Sequence, residues 1–405
     1  MQFPTAEYRQ RCDEAADRLV KHIFETYGDK DARKLYLQLI HTFSQIDYTA
    51  LPKEIRDFHQ TSQEDISILH PEKINLAAEY FQQNGHAMFL MLIAKCLPQL
   101  YSSYRGTKVL YETGYLVGKD NDALVARRLM ETAQFFIDIM SRDSFQPGKY
   151  GFFAATKVRI IHAYVRKFMW DKGWNSTYAA DYDQPVCQED MTGTLLAFSV
   201  CNIEGIQKMG LLISDEEMDA VIYTWHIAGK LLGVDDAFNP ESFEDGQLLF
   251  HHLINKEKKL GVENKALVDA ILNFMRSIFT PSLLKNTPYK NQNKLPEILV
   301  SYFVGREVAP YIGLNYHTDT YYRHVLKSMA VILPNIFIQS RKTRVTQEAV
   351  VDGSAYLVAA IFKFIKDHYQ LEFRIREDIL EDWHLAAYLK NYGYRESTSG
   401  TVVHT

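Results

Sequence analysis

Apolar residues recur at intervals of three and four along almost the whole chain, and the alternation typical of a half-buried strand is nearly absent. Dipeptides such as Pro147-Gly148 and Thr280-Pro281 fall between the periodic segments and mark connections. Gly210 stands where a helix would end on a glycine cap. The pattern predicts an all-α chain. The predicted helices span roughly residues 6–26, 31–46, 72–104, 108–141, 152–171, 189–209, 215–232, 264–280, 319–339 and 346–390.

No internal repeat and no linker rich in Gly, Ser or Pro divides the sequence. We therefore expect a single large helical domain over residues 1–405. Within it we expect N-terminal helices over 1–70, a core over 75–340, C-terminal helices over 341–392 and a loose tail over 393–405.

Composition excludes several classes of partner. A net charge of −5 gives no general attraction to nucleic acid, so none is expected. The N-terminus lacks the apolar core of a signal peptide, and the cysteines at 12, 96, 187 and 201 have no zinc-type spacing. Reduced thiols and a cytoplasmic location are expected. The most apolar run, 87–94, is too short for a membrane span and predicts a buried helix.

A single imidazole, that of His162, lies on the apolar stripe of the segment 152–171. Arg159 lies three residues before it and Arg166 four residues after it, so all three could point into one cavity. A neutral imidazole is the commonest protein ligand for metals, and one proximal histidine can hold a heme iron. A histidine on such a stripe is more often a core residue hydrogen-bonded to the backbone, and both interpretations stay open on spacing alone. The apolar residues on the same face are Val158, Ile161, Val165 and Met169.

Polar residues upstream form a second candidate cluster. Arg128 and Thr132 are four apart and share a helix face. Glu112 lies in an apolar stretch, where burial would raise its pKa and allow it to act as a base. Taken singly, Arg128 is also typical of an ion-paired surface residue, Thr132 of packing and Glu112 of a structural carboxylate.

Taken in order, these motifs resemble those of the heme-b oxygenases that include the bacterial latex clearing proteins, or rubber oxygenases, and the fungal oxygenase of mycophenolic acid biosynthesis. The resemblance covers roughly residues 75–260. The motifs are Glu112 in Tyr-Glu-Thr-Gly, Arg128 and Thr132 in Arg-x-x-x-Thr, His162 in Val-Arg-Ile-Ile-His-Ala-Tyr-Val-Arg, and Gln188-Glu-Asp-Met-Thr-Gly-Thr-Leu-Leu-Ala-Phe-Ser199.

The resemblance implies a globin-like helical core around heme b, with His162 as the proximal iron ligand. It also implies that Arg128, Thr132 and Glu112 lie in or near the distal pocket, where O2 binds and an alkene is cleaved. We then expect Arg159 and Arg166 to pair with the heme propionates, because a guanidinium matches a carboxylate in a bidentate way. The competing interpretation of these two is that of arginines on the surface of an amphipathic helix.

One departure from the family pattern stands beside Thr132. Where the rubber oxygenases carry a lysine able to cap the iron, this chain has Glu131. The absence of a secretion signal also argues against a polymer substrate, so we expect a small apolar intracellular molecule.

Two other functions compete with an oxygenase. The same histidine and an apolar pocket would suit a non-enzymatic heme or gas sensor or carrier. A di-iron oxygenase would need two Glu-x-x-His elements, and the sequence offers only the one from Glu381 to His384.

Overall fold

A computed structural model describes residues 6–41, 50–64, 66, 70–114, 122–146, 149–282 and 294–317, together with the positions 358, 359, 361, 362, 365, 367–369 and 383. Within these residues the regular secondary structure is helical, apart from one isolated bridge between Ser103 and Lys258. The all-α prediction is confirmed. The helices predicted over 319–339 and 346–390, and the tail over 393–405, lie outside the described residues except for those single positions.

The described residues form fifteen α-helices. They are α1 (Glu14–His41), α2 (Lys53–Glu64), α3 (Pro71–Met91), α4 (Leu97–Leu100), α5 (Gly106–Glu112), α6 (Asp122–Met140), α7 (Tyr150–Asp171), α8 (Trp174–Thr177), α9 (Ala179–Tyr182), α10 (Gln188–Leu196), α11 (Asn202–Met209), α12 (Asp215–Leu232), α13 (Phe243–Glu257), α14 (Val262–Ser282) and α15 (Leu295–Val304).

These residues divide into two compact units. The first unit comprises residues 1–79, 134–199 and 216–253, and the second comprises 80–133, 200–215 and 254–405. Each unit is described by itself, and the expectation of a single domain stays a prediction.

The core of the first unit is the contact between α1 and α7. Ile160, Ala163 and Tyr164 of α7 pack against buried apolar residues of α1, such as Ile23 and Leu39. Because Ile160 and Tyr164 are one helical turn apart, they place one face of α7 against α1. The helix α1 is broken at Gly28, whose φ of 73° and ψ of 166° are not helical. This break lies where the sequence separates its first two predicted helices.

Glycines fix both ends of α7. A side chain at Gly151 would lie 2.7 Å from the carbonyl oxygen of Asp138, so the first turn packs directly against the end of α6. After the last turn Gly173 adopts the left-handed conformation, with a φ of 85°. The helix is therefore positioned by backbone contacts as well as by its apolar face.

In the second unit, α3 continues through a π-helical segment, Leu92–Cys96, into α4. Pro98 has no N–H to bond the carbonyl of Ala94, and the wider π turn accommodates this loss just before the proline. The run 87–94 is buried throughout, which confirms the predicted buried helix. A second π-helical segment, Ala197–Cys201, leads into α11, and Gly210 caps α11 as predicted, with a φ of 92°.

One prediction of helix extent is wrong. The sequence suggested one helix over 108–141, whereas α5 ends at Glu112 and α6 begins at Asp122. Gly114 has a φ of 70°, which ends the helical path. None of the described helices is long and apolar enough to cross a membrane.

Candidate functional site

His162 lies in the middle of α7, away from the residues of that helix that pack on α1. Its side chain is half-buried, and so are the side chains of Val158 and Val165 beside it. The face around the imidazole therefore combines a ligand-type nitrogen with apolar side chains that remain partly accessible. Such a face can contact a flat apolar group.

Arg159 is bound by the residue that begins α1. Its Nε donates to Oδ2 of Asp13 over 2.6 Å and its Nη2 to Oδ1 over 3.0 Å. The same carboxylate accepts the N–H of Ala16 and so caps α1. Arg159 therefore already has a bidentate carboxylate partner within the chain.

Arg166 has the equivalent arrangement one turn further along α1. Its side chain is fully buried, and its Nε donates to Oδ1 of Asp17 over 2.6 Å. Nη1 donates to the carbonyl of Val186 over 3.2 Å. Burial raises the pKa of Asp17 and the charge of Arg166 opposes that rise. These contacts hold α7 against α1, and a role in propionate binding stays a prediction for both arginines.

Gln188 stabilises the turn that packs against the Asp13–Arg159 ion pair. Nε2 of Gln188 donates to the carbonyl of Gly233 over 2.9 Å, and its Oε1 accepts the N–H of Asp235 over 2.8 Å. A side chain at Gly233 would lie 2.3 Å from Oδ2 of Asp13. The glycine is therefore needed for the close approach of this turn to the Asp13–Arg159 pair.

Two acidic residues that follow Gln188 bind the chain's N-terminal region. Arg9 is buried, and its guanidinium contacts Asp183 at 3.1 Å, Glu189 at 3.5 Å and Asp190 at 3.0 Å. Four carboxylate and carbonyl groups converge on it, since the carbonyl of Tyr182 also accepts from Nη2. The contacts of Glu189 and Asp190 are therefore those of a structural anchor.

Glu112 lies in the second unit, at the end of α5, and is half-buried. Its Oε1 is 2.8 Å from Nζ of Lys108, which also contacts Glu263 at 3.1 Å. The carboxylate therefore belongs to an ion-paired group rather than to an apolar pocket. The condition of full burial, on which its role as a base was argued from sequence, is not met.

Arg128 and Thr132 lie one turn apart on α6, as their spacing predicts. Nη1 of Arg128 donates to Oε2 of Glu131 over 2.7 Å, and Arg127 donates to the other oxygen of Glu131 over 3.1 Å. The hydroxyl of Thr132 donates to the carbonyl of Arg128 over 2.9 Å. Glu131 is thus held between two guanidinium groups. The Thr132 hydroxyl uses its proton in this bond, and its oxygen can still act as an acceptor.

Rival metal ligands do not assemble in the described residues. No group of three His, Cys, Asp or Glu side chains there could hold a metal ion. His226 is buried with its Nδ1 at 2.8 Å from the carbonyl of Asn239, which is the contact of a core histidine. Glu381 and His384, on which the di-iron alternative depends, lie outside the described residues.

In the described residues the chain is an all-α protein, and His162 on α7 is its candidate metal ligand. Residues 83–323 match the family described as "ER-bound oxygenase mpaB/B'/Rubber oxygenase, catalytic domain". The match covers more than half of the chain, which belongs to this family, and the predicted resemblance is confirmed.

A sequence relative and a solved structure resemble the chain. It is 20% identical over 267 residues to "Rubber oxygenase" from Streptomyces sp. (strain K30), covering 66% of this chain and 64% of that protein. The chain thus spans 64% of the length of this relative. The solved "Structure of Latex Clearing Protein LCP in the closed state" is similar with a TM-score of 0.66 and 17% identity, over 91% of this chain and 92% of that one. This likeness shows the fold.

The partners that come from the N-terminal region were not predicted from the sequence. Asp13 and Asp17 are four apart at the start of α1, and Arg159 and Arg166 are seven apart on α7. Two acidic residues about one turn apart on one helix and two basic residues about two turns apart on another, each pair on one helix face, are the signal that could have suggested the pairing. Residues 9–17 lie outside the matched span 83–323, yet they bind three sites within it.

Proposed function

We propose that this chain is a heme-b-dependent oxygenase that uses O2 to oxidise a small apolar substrate containing a carbon-carbon double bond. The observation that carries the proposal is the placement of His162, on a partly accessible apolar face of α7, within a matched oxygenase catalytic domain. All six site residues named from sequence lie within residues 83–323.

The residues around His162 fit heme b. One imidazole is enough to hold a heme iron, and Val158 and Val165 offer apolar contact to a macrocycle. When bound, heme supplies the redox chemistry that activates O2. The chain supplies the ligand, the apolar surface and the polar groups that orient the reactants.

Arg128, Thr132 and Glu112 are proposed to act on the O2 and substrate side. The pair with Glu131 limits the movement of the Arg128 guanidinium, whose positive charge is proposed to orient a polar atom. Thr132 can accept a hydrogen bond through its oxygen. The pair with Lys108 fixes where the Glu112 carboxylate lies, and a role of Glu112 as a base stays a prediction from the family resemblance.

Glu131 is assigned a supporting role. Because both of its oxygens accept from guanidinium groups, the geometry favours a group that positions Arg127 and Arg128 over one that caps the iron. Capping of the iron by the residue at this position is therefore not proposed for this chain.

The arginines of α7 are likewise assigned to fixing the ligand helix. Asp13 and Asp17 occupy the guanidinium groups of Arg159 and Arg166, so these pairs set the position of α7 relative to α1. Pairing of either arginine with a heme propionate would require exchange of the aspartate.

The test is the ultraviolet-visible spectrum of the full chain supplied with heme, for the wild type and His162→Ala. We expect a Soret band that shifts on reduction with dithionite, and that is lost or strongly changed in the variant. The matched control is His59→Gln, because His59 contacts Thr156 of the same helix over 2.9 Å. An unchanged spectrum in His162→Ala, or an equal change in both variants, contradicts the assignment.

Turnover decides between an enzyme and a heme-binding carrier or sensor. Oxygen consumption and carbonyl products would be measured on small alkenes and on rubber latex. We expect oxidation of small alkenes and loss of oxidation in Arg128→Met. Reversible O2 binding without any product would favour the non-enzymatic alternative. A cytoplasmic location stays a prediction.

A further inference from the structure

A buried ammonium group in the second unit contacts a cysteine that the proposed oxygenase chemistry does not use. Nζ of Lys95 lies 3.1 Å from Sγ of Cys201, 3.0 Å from Oε2 of Glu204 and 3.1 Å from Oε1 of Gln99. The Lys95 side chain is 5% exposed. Three partners satisfy the three donors of the ammonium, so the group is held in a fixed place.

A second cysteine adjoins the first. The side chain of Cys96, next to Lys95 in the chain, adjoins that of Cys201 and interacts with it. Both sulfurs are fully buried and neither forms a disulfide. The two cysteines and the lysine come from the π-helical segments Leu92–Cys96 and Ala197–Cys201. Single π turns inside α-helices occur often at functional sites.

The surroundings favour ionisation of one of the two thiols. Burial opposes ionisation of Cys201, but the hydrogen bond from Cys96 and the charge of Lys95 outweigh it and lower the pKa of Cys201. Burial raises the pKa of Cys96. Cys187 provides a contrast within the chain, because it is equally buried and its pKa is raised by that burial.

We propose that Cys201 is a peroxide-reactive thiolate and that Cys96 is the thiol that resolves its oxidation to a disulfide. In the first step the Cys201 thiolate attacks one oxygen of hydrogen peroxide. The O–O bond breaks, Cys201 becomes a sulfenic acid, and the departing hydroxide takes a proton from the Lys95 ammonium to leave as water.

In the second step the Cys96 sulfur attacks the Cys201 sulfur. The S–O bond breaks and the hydroxyl group leaves as a second water after taking the Cys96 proton, and the Lys95 amine is reprotonated from solvent. The two thiols have together lost two electrons, and one peroxide has been reduced to two waters. This site does not depend on heme, and its failure would leave the proposed oxygenase function untouched.

Close packing restricts which oxidants can reach the sulfurs. A side chain at Gly205 would lie 2.7 Å from Sδ of Met91 and 3.2 Å from Cδ of Lys95, so α11 and α3 are in tight contact beside the cluster. Glu204 is 16% exposed at the edge of the group. A small neutral oxidant such as peroxide fits this approach better than a bulky aromatic disulfide reagent.

The primary test needs no variant. The full-length native chain is treated with hydrogen peroxide, remaining thiols are alkylated after unfolding, and peptides are mapped by mass spectrometry. We expect a Cys96–Cys201 disulfide to form at least about ten-fold faster than Cys187 oxidises. Oxidation of Cys201 no faster than that of Cys187 overturns the proposal.

Two variants test the assigned roles. Cys96→Ser is expected to stop at Cys201 carrying one added oxygen or more, without a disulfide. Lys95→Met combined with Glu204→Gln removes both charges together, which avoids an unpaired buried carboxylate, and is expected to slow Cys201 oxidation at least about ten-fold. An unchanged rate of Cys201 oxidation in the double variant contradicts the proposed chemistry. So does a product of the native chain in which an added oxygen links Lys95 to Cys201.

Discussion

Replacement of Arg166 by methionine should destabilise the protein strongly. The Arg166 side chain is fully buried, and the change leaves the carboxylate of Asp17 and the carbonyl of Val186 without their donors. Removal of one partner of a buried ion pair typically costs about 3–5 kcal/mol. We therefore expect the free energy of unfolding of Arg166→Met to fall by about that amount at neutral pH.

The loss should grow as the pH rises. Burial already raises the pKa of Asp17, and in the variant the opposing charge of Arg166 is gone. A carboxyl group whose pKa is higher in the folded than in the unfolded state stabilises the fold at pH values below its pKa in the unfolded state. This stabilisation is lost as the pH rises through its pKa in the folded state. The variant should therefore be less destabilised at about pH 5 than at about pH 8.

The assay is urea unfolding followed by circular dichroism at both pH values. The wild type is compared with Arg166→Met, Asp17→Leu and the double variant. Apolar replacement of both partners of a buried pair is often close to neutral, so the double variant should lie within about 2 kcal/mol of the wild type. A cost of less than about 1 kcal/mol for Arg166→Met, or a double variant no more stable than the single one, refutes the reasoning.

The same variants separate the two roles considered for Arg166. If the guanidinium serves to hold α7 to α1, the folded double variant should retain heme with an unchanged Soret band. If the guanidinium binds a heme propionate, the double variant should lose heme affinity despite its recovered stability.

Three further changes test other parts of the structure. Burial lowers the pKa of His59 from 6.5 to about 4. The free energy of unfolding should therefore fall by about 1–2 kcal/mol, a value reduced for solvent screening, as the pH drops through that window. His59→Gln should flatten that part of the profile of unfolding midpoint against pH. Gly233→Ala places a carbon 2.3 Å from Oδ2 of Asp13, at a backbone φ of 78°. It should lower the free energy of unfolding in urea by about 2–4 kcal/mol. A loss below about 1 kcal/mol would show that the turn relaxes. Glu131→Gln removes two partly exposed ion pairs, so thermal unfolding should register a change of about 1 kcal/mol or less, and a shifted Soret band would instead indicate a direct contact with heme.

Helix positions were predictable where an apolar stripe is long. The segment 152–171 coincides closely with α7 because its stripe runs unbroken between two glycines. The short helix α2 was missed, since it is mostly polar and buries few apolar residues, among them Ile55. The helices α13 and α15 were also not predicted, and α15 begins at Leu295, between the helices predicted over 264–280 and 319–339.

The residue types of the site were predictable, but their partners were not. The spacing of Arg128 and Thr132 correctly placed them one turn apart on a helix. The aspartates that bind Arg159 and Arg166 lie about 146 and 149 positions away in the chain, a separation at which local periodicity carries no information. Glu112 was expected in an apolar pocket, whereas Lys108, one turn before it, supplies the ion pair.

The central claim is that His162 is the iron ligand of a bound heme. The most direct test is the His162→Gly variant of the full chain, supplied with heme and titrated with free imidazole. The account predicts that the variant lacks the wild-type Soret band and that imidazole restores it, because the ligand returns to the space left on α7. A wild-type spectrum in the variant without imidazole, or no Soret band in the wild type itself, would contradict it.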